Sequence, residues 1–523
     1  MKSPPVVCVD LLHIPALFFN QEIRKSGISL EDAHFPEFLS SRLTCAGNKS
    51  PVPATGEQPA TTAPAPPDPE PSKPAAVETL TPREWRFAVV LCFFGMLLYF
   101  LVNIHRVAIP GQIFSQLQAE LGVSASAIAG LGTSFMYIYA VTQLVVGVLV
   151  DRYGGMRVAA LGGVVMSLGS LLFACSANLW MLFAGRALVG LGGGCAYLCL
   201  VKECARLFPG RFTTVLGFII LFGYSGGIAG TYPFVGAVNA WGWRSGMLGI
   251  ALFGVLVLAG MALFWRRVRK PPVNHAAAIS WGPYRRGFAN VHNLKGIFSY
   301  SLSFGIYYVV LTVVGKKFLE DAGGLAPSKA ALCCSVMVLL SAISNQVTGI
   351  MSAMSGNRRR PFILLQTAMV PAGSLLVLAG LLGVPQGPAR GLLLVTGFLL
   401  ITFASGFSPV TNAIMLEVNP PALTGVGVAI GNFSAYAFVA LLGTLSGGVL
   451  DGFRSRAQAD ASGALRYPDA AYVVLFGIYL LIGLGAHALA RRLRETYGRN
   501  IYEERGLPFA GRNGTMEPLT PRG

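Results

Sequence analysis

The chain has 523 residues, of which 53% are hydrophobic and only 12% are charged, and its mean hydropathy is +0.59. A water-soluble surface needs more charge than this, so the composition excludes a soluble globular protein. The net charge of +17 does not indicate a nucleic-acid partner, because the basic residues fall mostly in short gaps between apolar segments.

Residues 1–82 differ in composition from the rest of the chain. The part from 48 to 79 is rich in Pro, Ala and Thr, which cannot bury a hydrophobic core. The apolar stretch before it lacks the basic start and the small-residue cleavage site of a signal peptide. We predict a disordered or dispensable cytoplasmic extension; a later translation start near Val77 is an alternative.

Twelve apolar segments follow, each long enough to cross a ~30 Å hydrocarbon core as a helix. They are placed near 84–106, 125–149, 156–175, 178–203, 211–235, 243–266, 290–315, 328–353, 361–383, 389–414, 422–449 and 470–493. They are continuously apolar, whereas barrel strands are short and alternate.

The sequence therefore predicts an all-α membrane protein with twelve transmembrane helices in two pseudo-symmetric six-helix bundles. The first bundle covers 83–266 and the second covers 290–495. A basic cytoplasmic loop at 267–289 joins them, and a cytoplasmic tail covers 496–523.

The charges in the loops predict the orientation. Basic residues recur in every second gap, which places both termini in the cytoplasm of a multi-pass protein of the cell membrane, with a bacterial inner membrane as the expected location. Two gaps break this pattern. Lys316 and Lys317 lie at the outer end of the seventh segment, and the gap from 451 to 469 contains several arginines.

The two halves repeat a short sequence after their second segments. "GVLVDRYGGMR" contains Gly147, Asp151 and Gly154, and "GIMSAMSGNRR" repeats it with Ala353 in place of the acid. Two six-helix halves with internal repeats are typical of one large class of secondary transporters.

The spacing of Gly147, Asp151, Arg152 and Gly154 resembles the loop 2–3 signature of the major facilitator superfamily. "RALVGLGGG", which contains Arg186, is similar to that family's fourth-helix motif, and "WGWRSG" at 241–246 is also familiar from its members. The resemblance covers roughly residues 84–495.

The resemblance implies a twelve-helix fold and a role for the loop. It implies that Asp151 pairs with basic groups or helix N-termini of the other half and latches the outward-open state. The alternative is a simple turn with a solvated acid and a cytoplasmic arginine. For Arg186 the resemblance implies either proton coupling or helix packing.

Polar residues inside an apolar span are costly, so they are candidate functional residues. Tyr99, Asn103 and Arg106 recur at helical spacing on the first segment and share one face. A guanidinium turned to a central cavity would suit a carboxylate or a phosphate. The alternative is that Arg106 extends to the outer membrane interface, because Pro110 ends the helix nearby.

Further candidates for the cavity wall lie on later segments: Tyr307, Asn412, Asn432 and Tyr436. Each of them alone is also compatible with a simple hydrogen bond between helices. Glu417, at the cytoplasmic end of the tenth segment, is expected to be solvated. The sequence shows no central Asp or Glu in any segment, so the coupling ion stays open.

These features predict a secondary transporter that moves a small polar solute, with an organic anion as one candidate, by alternating access and with ion coupling. Its expected partners are the solute, the lipid bilayer and a coupling proton, and the chain is expected to be a monomer. The alternatives are a drug or metabolite exporter and a non-transporting membrane sensor. No phosphate-binding loop, catalytic triad or metal-ligand pattern is found in the sequence, so we expect neither enzymatic activity nor a cofactor or metal.

Overall fold

The computed structural model describes residues 81–208, 212–265, 267, 281–405, 408–420, 423–460, 463–501, 509–510 and 516–517. The extension predicted over 1–82 and most of the predicted loop and tail lie outside these residues. The described helices belong to one compact unit, Glu78–Gly523.

The first half contains these helices: α1 (Pro82–Ala108), α2 (Phe114–Leu121), α3 (Ala125–Tyr153), α4 (Gly155–Ala174), α5 (Leu179–Leu207), α6 (Phe212–Ala229) and α7 (Tyr232–Trp265). The first of them starts at a capping box. The Thr81 hydroxyl accepts from the Glu84 backbone N–H at 3.3 Å, and the Glu84 carboxylate accepts from the Thr81 N–H at 3.0 Å. Pro82, the first helical residue, needs no hydrogen-bond acceptor there.

The second half contains these helices: α8 (Trp281–Ala289), α9 (Val291–Val309), α10 (Gly315–Asp321), α11 (Pro327–Met354), α12 (Arg360–Gly383), α13 (Pro388–Ile401), α14 (Ser408–Glu417), α15 (Thr424–Gly452) and α16 (Asp469–Ala490). Two short antiparallel strand pairs lie outside the helices. β1 (Gln458–Ala459) pairs with β2 (Leu465–Arg466), and β3 (Phe509–Ala510) pairs with β4 (Met516–Glu517).

Eleven described segments are long and apolar enough to cross a membrane, and one of them, Thr214–Trp265, has 52 residues. This segment contains the predicted fifth and sixth spans. Gly223 and Gly230 of the segment lie against Tyr99 and Ile104 of α1, so its first part runs parallel to α1. Later in the segment, Gly260 lies against Phe94, so the order is reversed. The fold is therefore consistent with twelve spans.

The reversal occurs at Gly242, where φ is +80° and ψ is 158°. Gly154, between α3 and α4, has nearly the same conformation, with φ +87° and ψ 147°. Residues with a side chain rarely adopt this backbone conformation. Because glycine adopts it readily, a single residue can join the two antiparallel helices at each of these turns. The predicted end of the fifth span at 235 was wrong: the helix breaks at 230–231, and the chain turns back only at Gly242.

Close helix packing in the first half depends on small residues. A Cβ atom on Gly169 of α4 would lie 2.7 Å from the carbonyl oxygen of Gly185 on α5, and one on Gly190 would lie 2.7 Å from the Phe135 carbonyl of α3. The glycines of the "RALVGLGGG" segment therefore bring three backbones together, as small residues do in membrane bundles.

Helices α3 and α15 meet at the boundary between the two halves and run antiparallel. A Cβ atom on Gly443 would meet Thr133, and one on Gly447 would meet Ala129. We call the side of the bundle where α1 begins and α16 ends the terminal side, and the opposite side the far side.

The seventh span extends beyond the predicted end at 315. A π turn, Val310–Val314, joins α9 to α10, and the whole segment Val291–Asp321 is largely buried. Lys316 Nζ lies 2.5 Å from Glu320 Oε1, and Lys317 Nζ lies 2.9 Å from Asp321 Oδ1. The two lysines lie near the end of the seventh segment, and each is buried and neutralised by an acid one turn later.

Candidate solute-binding site

A cavity of about 590 Å³ lies between the two halves. Side chains of α1, α3, α5 and α6 line it from the first half, and side chains of α9, α11, α14 and α15 line it from the second. All of the candidates proposed from the sequence lie on its wall: Tyr99, Asn103, Arg106, Tyr307, Asn412, Asn432 and Tyr436. Their role in binding stays a prediction, but their positions are those of a shared site.

Arg106 lies at the deep, far-side end of this cavity, in the last turn of α1. Its side chain is only 4% exposed, so it does not extend to the membrane interface. The guanidinium carbon lies 4.6 Å from the centre of the Tyr139 ring and 5.1 Å from that of Tyr436. The two rings come from opposite halves, so the guanidinium bridges the boundary through cation–π contacts.

Most of the hydrogen-bonding capacity of Arg106 is unused. Nη1 donates to Asn103 Oδ1 at 3.5 Å, and Asn103 Nδ2 donates to the Tyr99 carbonyl at 2.8 Å. Among the described residues, Nε and Nη2 of Arg106 have no hydrogen-bond partner. A buried cation without a partner is strongly disfavoured, so this edge of the guanidinium is suited to an anion.

Aromatic rings form both walls around the deep end. On the second half, the Phe304 ring centre lies 5.1 Å from that of Tyr308 and 5.9 Å from that of Tyr436. On the first half, the ring centres of Tyr99 and Tyr197 are 5.1 Å apart. The deep end of the cavity is therefore an aromatic chamber with one cation.

A polar cluster joins the two walls beside this chamber. The Tyr224 hydroxyl, from α6, accepts from Asn345 Nδ2 at 2.8 Å and from Ser341 Oγ at 3.4 Å, both on α11. Ser341 also forms a hydrogen bond with Ser405. These hydroxyl and amide groups cross the boundary and have to separate if the halves move apart.

Sequence reasoning missed several residues of this wall, among them Tyr139, Gln143, Tyr197 and Tyr224. Tyr139 and Gln143 are one turn apart on α3, a polar pair in an apolar span, and that spacing could have identified them. Tyr197 and Tyr224 are isolated in their segments and gave no such signal.

The far side of the cavity is closed by contacts between the halves. The Asp451 carboxylate, at the end of α15, accepts from the backbone N–H groups of Ala125 at 2.7 Å and Ser126 at 2.9 Å, and also from the Ser126 hydroxyl. Gln118 Nε2 donates to the Tyr467 hydroxyl at 2.9 Å. Acceptors on the second half thus hold α2 and the start of α3.

A further far-side contact involves the buried ion pairs of α10. Ser115 Oγ donates to Glu320 Oε2 at 3.1 Å. On the other side, the cavity wall continues to Gly217 and Gly349, which lie toward the terminal ends of α6 and α11. The cavity in this conformation therefore faces the terminal side.

Arg186 of α5 is fully buried, and all of its nitrogens bind backbone carbonyls. Nε donates to Leu131 at 3.0 Å, Nη1 to His105 at 3.1 Å and Nη2 to Ile109 at 3.2 Å. Its guanidinium carbon lies 4.6 Å from the centre of the Phe135 ring. This geometry favours packing over proton coupling, because Arg186 secures the turn of α1 that carries Arg106.

The signature loop lies on the terminal side and is partly exposed. Asp151, whose side chain is 56% exposed, forms an ion pair with Lys202 of α5, within its own half. The guanidinium carbon of Arg152 lies 5.4 Å from the centre of the Tyr153 ring, and a Cβ atom on Gly147 would meet only Leu198, at 3.9 Å. Among the described residues of the second half, Asp151 has no partner in this conformation, and that pairing stays a prediction for the opposite one.

The corresponding loop of the second half is fixed internally. Arg359 Nη2 lies 2.8 Å from Glu417 Oε1, and the Thr496 hydroxyl donates to Glu417 Oε2 at 2.5 Å. The expectation of a solvated Glu417 was wrong. The Glu417 carboxylate is buried, because it forms an ion pair with Arg359, the arginine that follows Gly356 in the repeated sequence.

The "WGWRSG" segment binds the far-side helix α2. Trp243 Nε1 donates to Glu120 Oε2 at 2.5 Å, and Arg244 forms an ion pair with the same carboxylate. Partial burial raises the pKa of Glu120, but the hydrogen bonds and the charge of Arg244 outweigh burial and hold that pKa below its ordinary value.

Comparison with known proteins identifies partial relatives among transporters. The chain is 38% identical over 111 residues to a probable anion transporter 4, chloroplastic, of Arabidopsis thaliana, which is 21% of each chain. It is 25% identical over 170 residues to sugar transport protein 12 of the same plant, which is 32% of each chain. The chain thus spans between about a fifth and a third of the length of these relatives.

Solved structures match over a larger part of the chain. A peptide transporter POT in complex with sulfate has a TM-score of 0.62 and 15% identity, over 79% of this chain and 96% of that one. A bacterial homologue of the human lysosomal transporter Spinster, in an inward-facing and unoccupied conformation, has a TM-score of 0.61 and 15% identity, over 79% and 98%. At this identity the likeness shows the fold.

The family model of the Major Facilitator Superfamily matches residues 91–444, which include the signature loop, the glycine-rich segment of α5 and most of the cavity wall. This match covers more than half of the chain. The chain is therefore a multi-pass membrane protein that belongs to the major facilitator superfamily.

Proposed function

We propose that the chain is a secondary transporter that moves a small organic anion across a membrane by alternating access, with Arg106 as the anion-binding group. One observation carries the proposal: a buried guanidinium with an unused edge lies in a cavity between two six-helix halves. In this family fold, solutes bind near the midplane between the halves.

The charge of the site supports an anion. Arg106 is the only charged side chain among the described residues that line the cavity. Removing a guanidinium from water costs several kcal/mol, and the attraction to two tyrosine rings offsets only part of that cost. A carboxylate at the unused edge would supply the missing hydrogen bonds together with the opposite charge.

The arrangement of the halves supports alternating access. Asp451, Gln118 and Glu320 close the far side, whereas the wall continues toward the terminal side. Rocking of the halves around Arg106 would open one side as it closes the other. With the termini in the cytoplasm, as the loop charges indicate, this conformation is the inward-facing one.

Proton coupling and a monomeric state are parts of this proposal that rest on the sequence. Of the described acids near the boundary, Asp321 is buried and Glu320 is partly exposed, and each is paired with a lysine. Either of them could carry a proton only if its lysine pair is loosened, which would tie protonation to the far-side contacts.

The test is a binding and uptake assay on the purified full chain. We expect small monocarboxylates to raise the melting temperature of the wild type, because a ligand that binds only the folded state stabilises it. Arg106→Gln should abolish this stabilisation and uptake into proteoliposomes, and Arg106→Lys should retain part of both. Arg492→Gln, which removes an exposed guanidinium after α16, is the matched control and should behave as the wild type.

Stabilisation of Arg106→Gln by the same carboxylates would contradict the proposal. So would a wild type that carboxylates do not stabilise and neutral solutes do. Circular dichroism of each variant separates loss of binding from loss of folding.

A further inference from the structure

We propose that the substrate is a monocarboxylate with a flat, apolar body, held with its carboxylate on Arg106 and its body between the aromatic walls. This inference rests on the proposed function and narrows the substrate of the same site. It follows from three features of the deep end: the edge of the guanidinium, the charge balance and the distribution of rings and amides.

The unused edge of Arg106 has the geometry of a carboxylate clamp. Nε and Nη2, the two nitrogens without a partner, lie on one edge of the planar guanidinium and direct parallel N–H groups outward. Two parallel donors match the two oxygens of one carboxylate. The Tyr139 and Tyr436 ring centres are only 4.6 Å apart, so both rings lie to one side of the guanidinium and leave this edge for an anion.

The charge balance limits the substrate to one negative charge. No second cation and no acid occurs among the described residues of the cavity wall, so Arg106 neutralises a single carboxylate. A dianion would bring a second charge into the chamber without a partner, and burying an unpaired charge is costly. A phosphate monoester or a dicarboxylate therefore fits less well than a monocarboxylate.

The distribution of side chains separates an aromatic deep end from a polar mouth. Phe304 and Tyr308 are buried around the chamber, and Tyr99 and Tyr436 are partly exposed. Gln346 is exposed, and Asn412 and Asn432 are partly exposed on the terminal side of it. The faces of the rings favour a flat apolar body, and the exposed Gln346 lies where water can reach it, whereas Asn103 and Asn345 are buried beside the chamber.

The test compares probes of similar size on the purified full chain. Benzoate carries the charge and the flat ring, benzamide lacks the charge, gluconate carries the charge on a polyol, and phthalate carries two charges. We expect benzoate to bind at least tenfold more tightly than each of the other three, measured by the shift of the melting temperature and by calorimetry.

A variant of the wall sharpens the test. Phe304→Leu removes a ring of the chamber that does not cover Arg106, and we expect it to weaken benzoate binding at least fivefold while leaving gluconate unchanged. Phe173→Leu removes a buried ring that packs on Trp243 outside the cavity, and it should leave both affinities unchanged.

The outcomes separate the two levels of the proposal. Equal binding of gluconate and benzoate would overturn the flat apolar body and leave the organic anion in place. Equal or tighter binding of phthalate would overturn the single charge. Binding of benzamide as tight as that of benzoate would overturn the anion itself, and with it the proposed function.

From a different observation we infer that Asp451 is the far-side latch that holds the present conformation. Its carboxylate, on the second half, binds the first two N–H groups of α3 on the first half. Gly447, one turn earlier, allows this approach, because a Cβ atom there would lie 2.8 Å from the Ala129 Cβ. An acid at a helix N-terminus satisfies free N–H groups and interacts favourably with the helix dipole.

The local sequence of this latch matches that of the signature loop. Gly447, Asp451 and Phe453 have the same spacing as Gly147, Asp151 and Tyr153. One set ends α15 on the far side and the other ends α3 on the terminal side, and these two helices are antiparallel. Each acid is thus placed to cap the first turn of the other helix, and in this conformation only the far-side cap is formed.

The test follows the opening of the far side. Leu117→Cys, in a chain whose native cysteines are replaced by serine, places a buried thiol on α2. We expect Asp451→Asn to increase its labelling by a water-soluble maleimide at least fivefold. Asp469→Asn, which breaks an ion pair with Arg390 within the second half, is the matched control and should label as the parent does. Labelling of Asp451→Asn at the rate of this control would overturn the latch.

Discussion

The two ends of the α3–α15 pair share the spacing of a glycine, an aspartate and an aromatic residue but are in different states. At the far end, Ser124 Oγ accepts from the Ala127 N–H at 3.1 Å, and the Asp451 carboxylate accepts from the two N–H groups before it. The start of α3 is therefore capped. At the terminal end, the residue before α15 is Leu423, which provides no side-chain cap, and Asp151 is paired with Lys202 instead.

The difference agrees with our proposal that each acid forms its cap in one of two conformations. An acid four residues after a glycine forms a cap only when the facing helix start is within reach. Capping contributes about 1 kcal/mol, so either end can hold a conformation without preventing its release. Lys202 gives Asp151 a partner in the open state, and the surface exposure of that pair keeps it weak.

The largest effect should come from removing the acid at the open end. Asp151→Asn should slow far-side labelling of Leu117→Cys about five- to thirtyfold, because the lost cap would destabilise the state with the far side open by roughly 1–2 kcal/mol. The change should leave membrane insertion intact. Unchanged labelling would mean that Asp151 is a solvated acid in a simple turn.

Replacing both acids in one chain should cancel their opposite effects on the labelling rate. Asp151→Asn and Asp451→Asn weaken opposite conformations, so the double variant should label within about threefold of the parent if the two ends act independently. A double variant that labels at the rate of either single variant would show that the two ends are not equivalent.

Replacing the glycine at each end by alanine should change the stability of the present conformation by different amounts. Gly447→Ala places a Cβ atom 2.8 Å from the Ala129 Cβ and 2.9 Å from the Ser126 Cα, and such overpacking costs about 1–3 kcal/mol. Gly147→Ala would meet only Leu198, at 3.9 Å, and should change stability by less than about 0.5 kcal/mol. Thermal unfolding of the purified variants measures both, and equal destabilisation would show that the ends are packed alike.

The smallest effect concerns Glu120, which supports α2 beside the far-side contacts. Since its pKa is lowered in the folded state, its contribution is present above the unfolded pKa and is lost as the pH falls through the folded pKa. Glu120→Gln should destabilise the protein by about 0.5 kcal/mol at pH 7, because the pair with Arg244 is partly exposed. The melting temperatures of variant and wild type should converge in acid. A constant difference across the pH range would exclude this charge effect.

Much of this architecture was predictable from the sequence. Hydropathy located the spans, and the 99–103–106 spacing located the side of α1 that faces the cavity, because helical periodicity is local. The partners of charged residues were harder to predict. The partners of Lys316 and Lys317 were not identified from the sequence, although Glu320 and Asp321 each follow one of them by one turn.

Contacts between distant segments could not be read from one sequence. The pairing of Arg359 with Glu417 joins residues 58 positions apart in the sequence. The contact between Tyr139 and Tyr436 joins residues that lie in opposite halves of the chain. No local pattern predicts such contacts, because they depend on how the helices pack. The helix break at 230–231 has a local signal, because Gly230 and Thr231 are followed by Pro233, but hydropathy alone does not detect it.

The carbonyl contacts of Arg186 have a consequence for how a solute would be released. Unwinding the last turn of α1 would leave two guanidinium nitrogens of Arg186 and the carbonyls of His105 and Ile109 without partners inside the lipid-embedded core. Arg106 must therefore travel with the first half as one body. A carboxylate held by it stays anchored to that half, and departure begins when the rings of α9 and α15 withdraw from its other face.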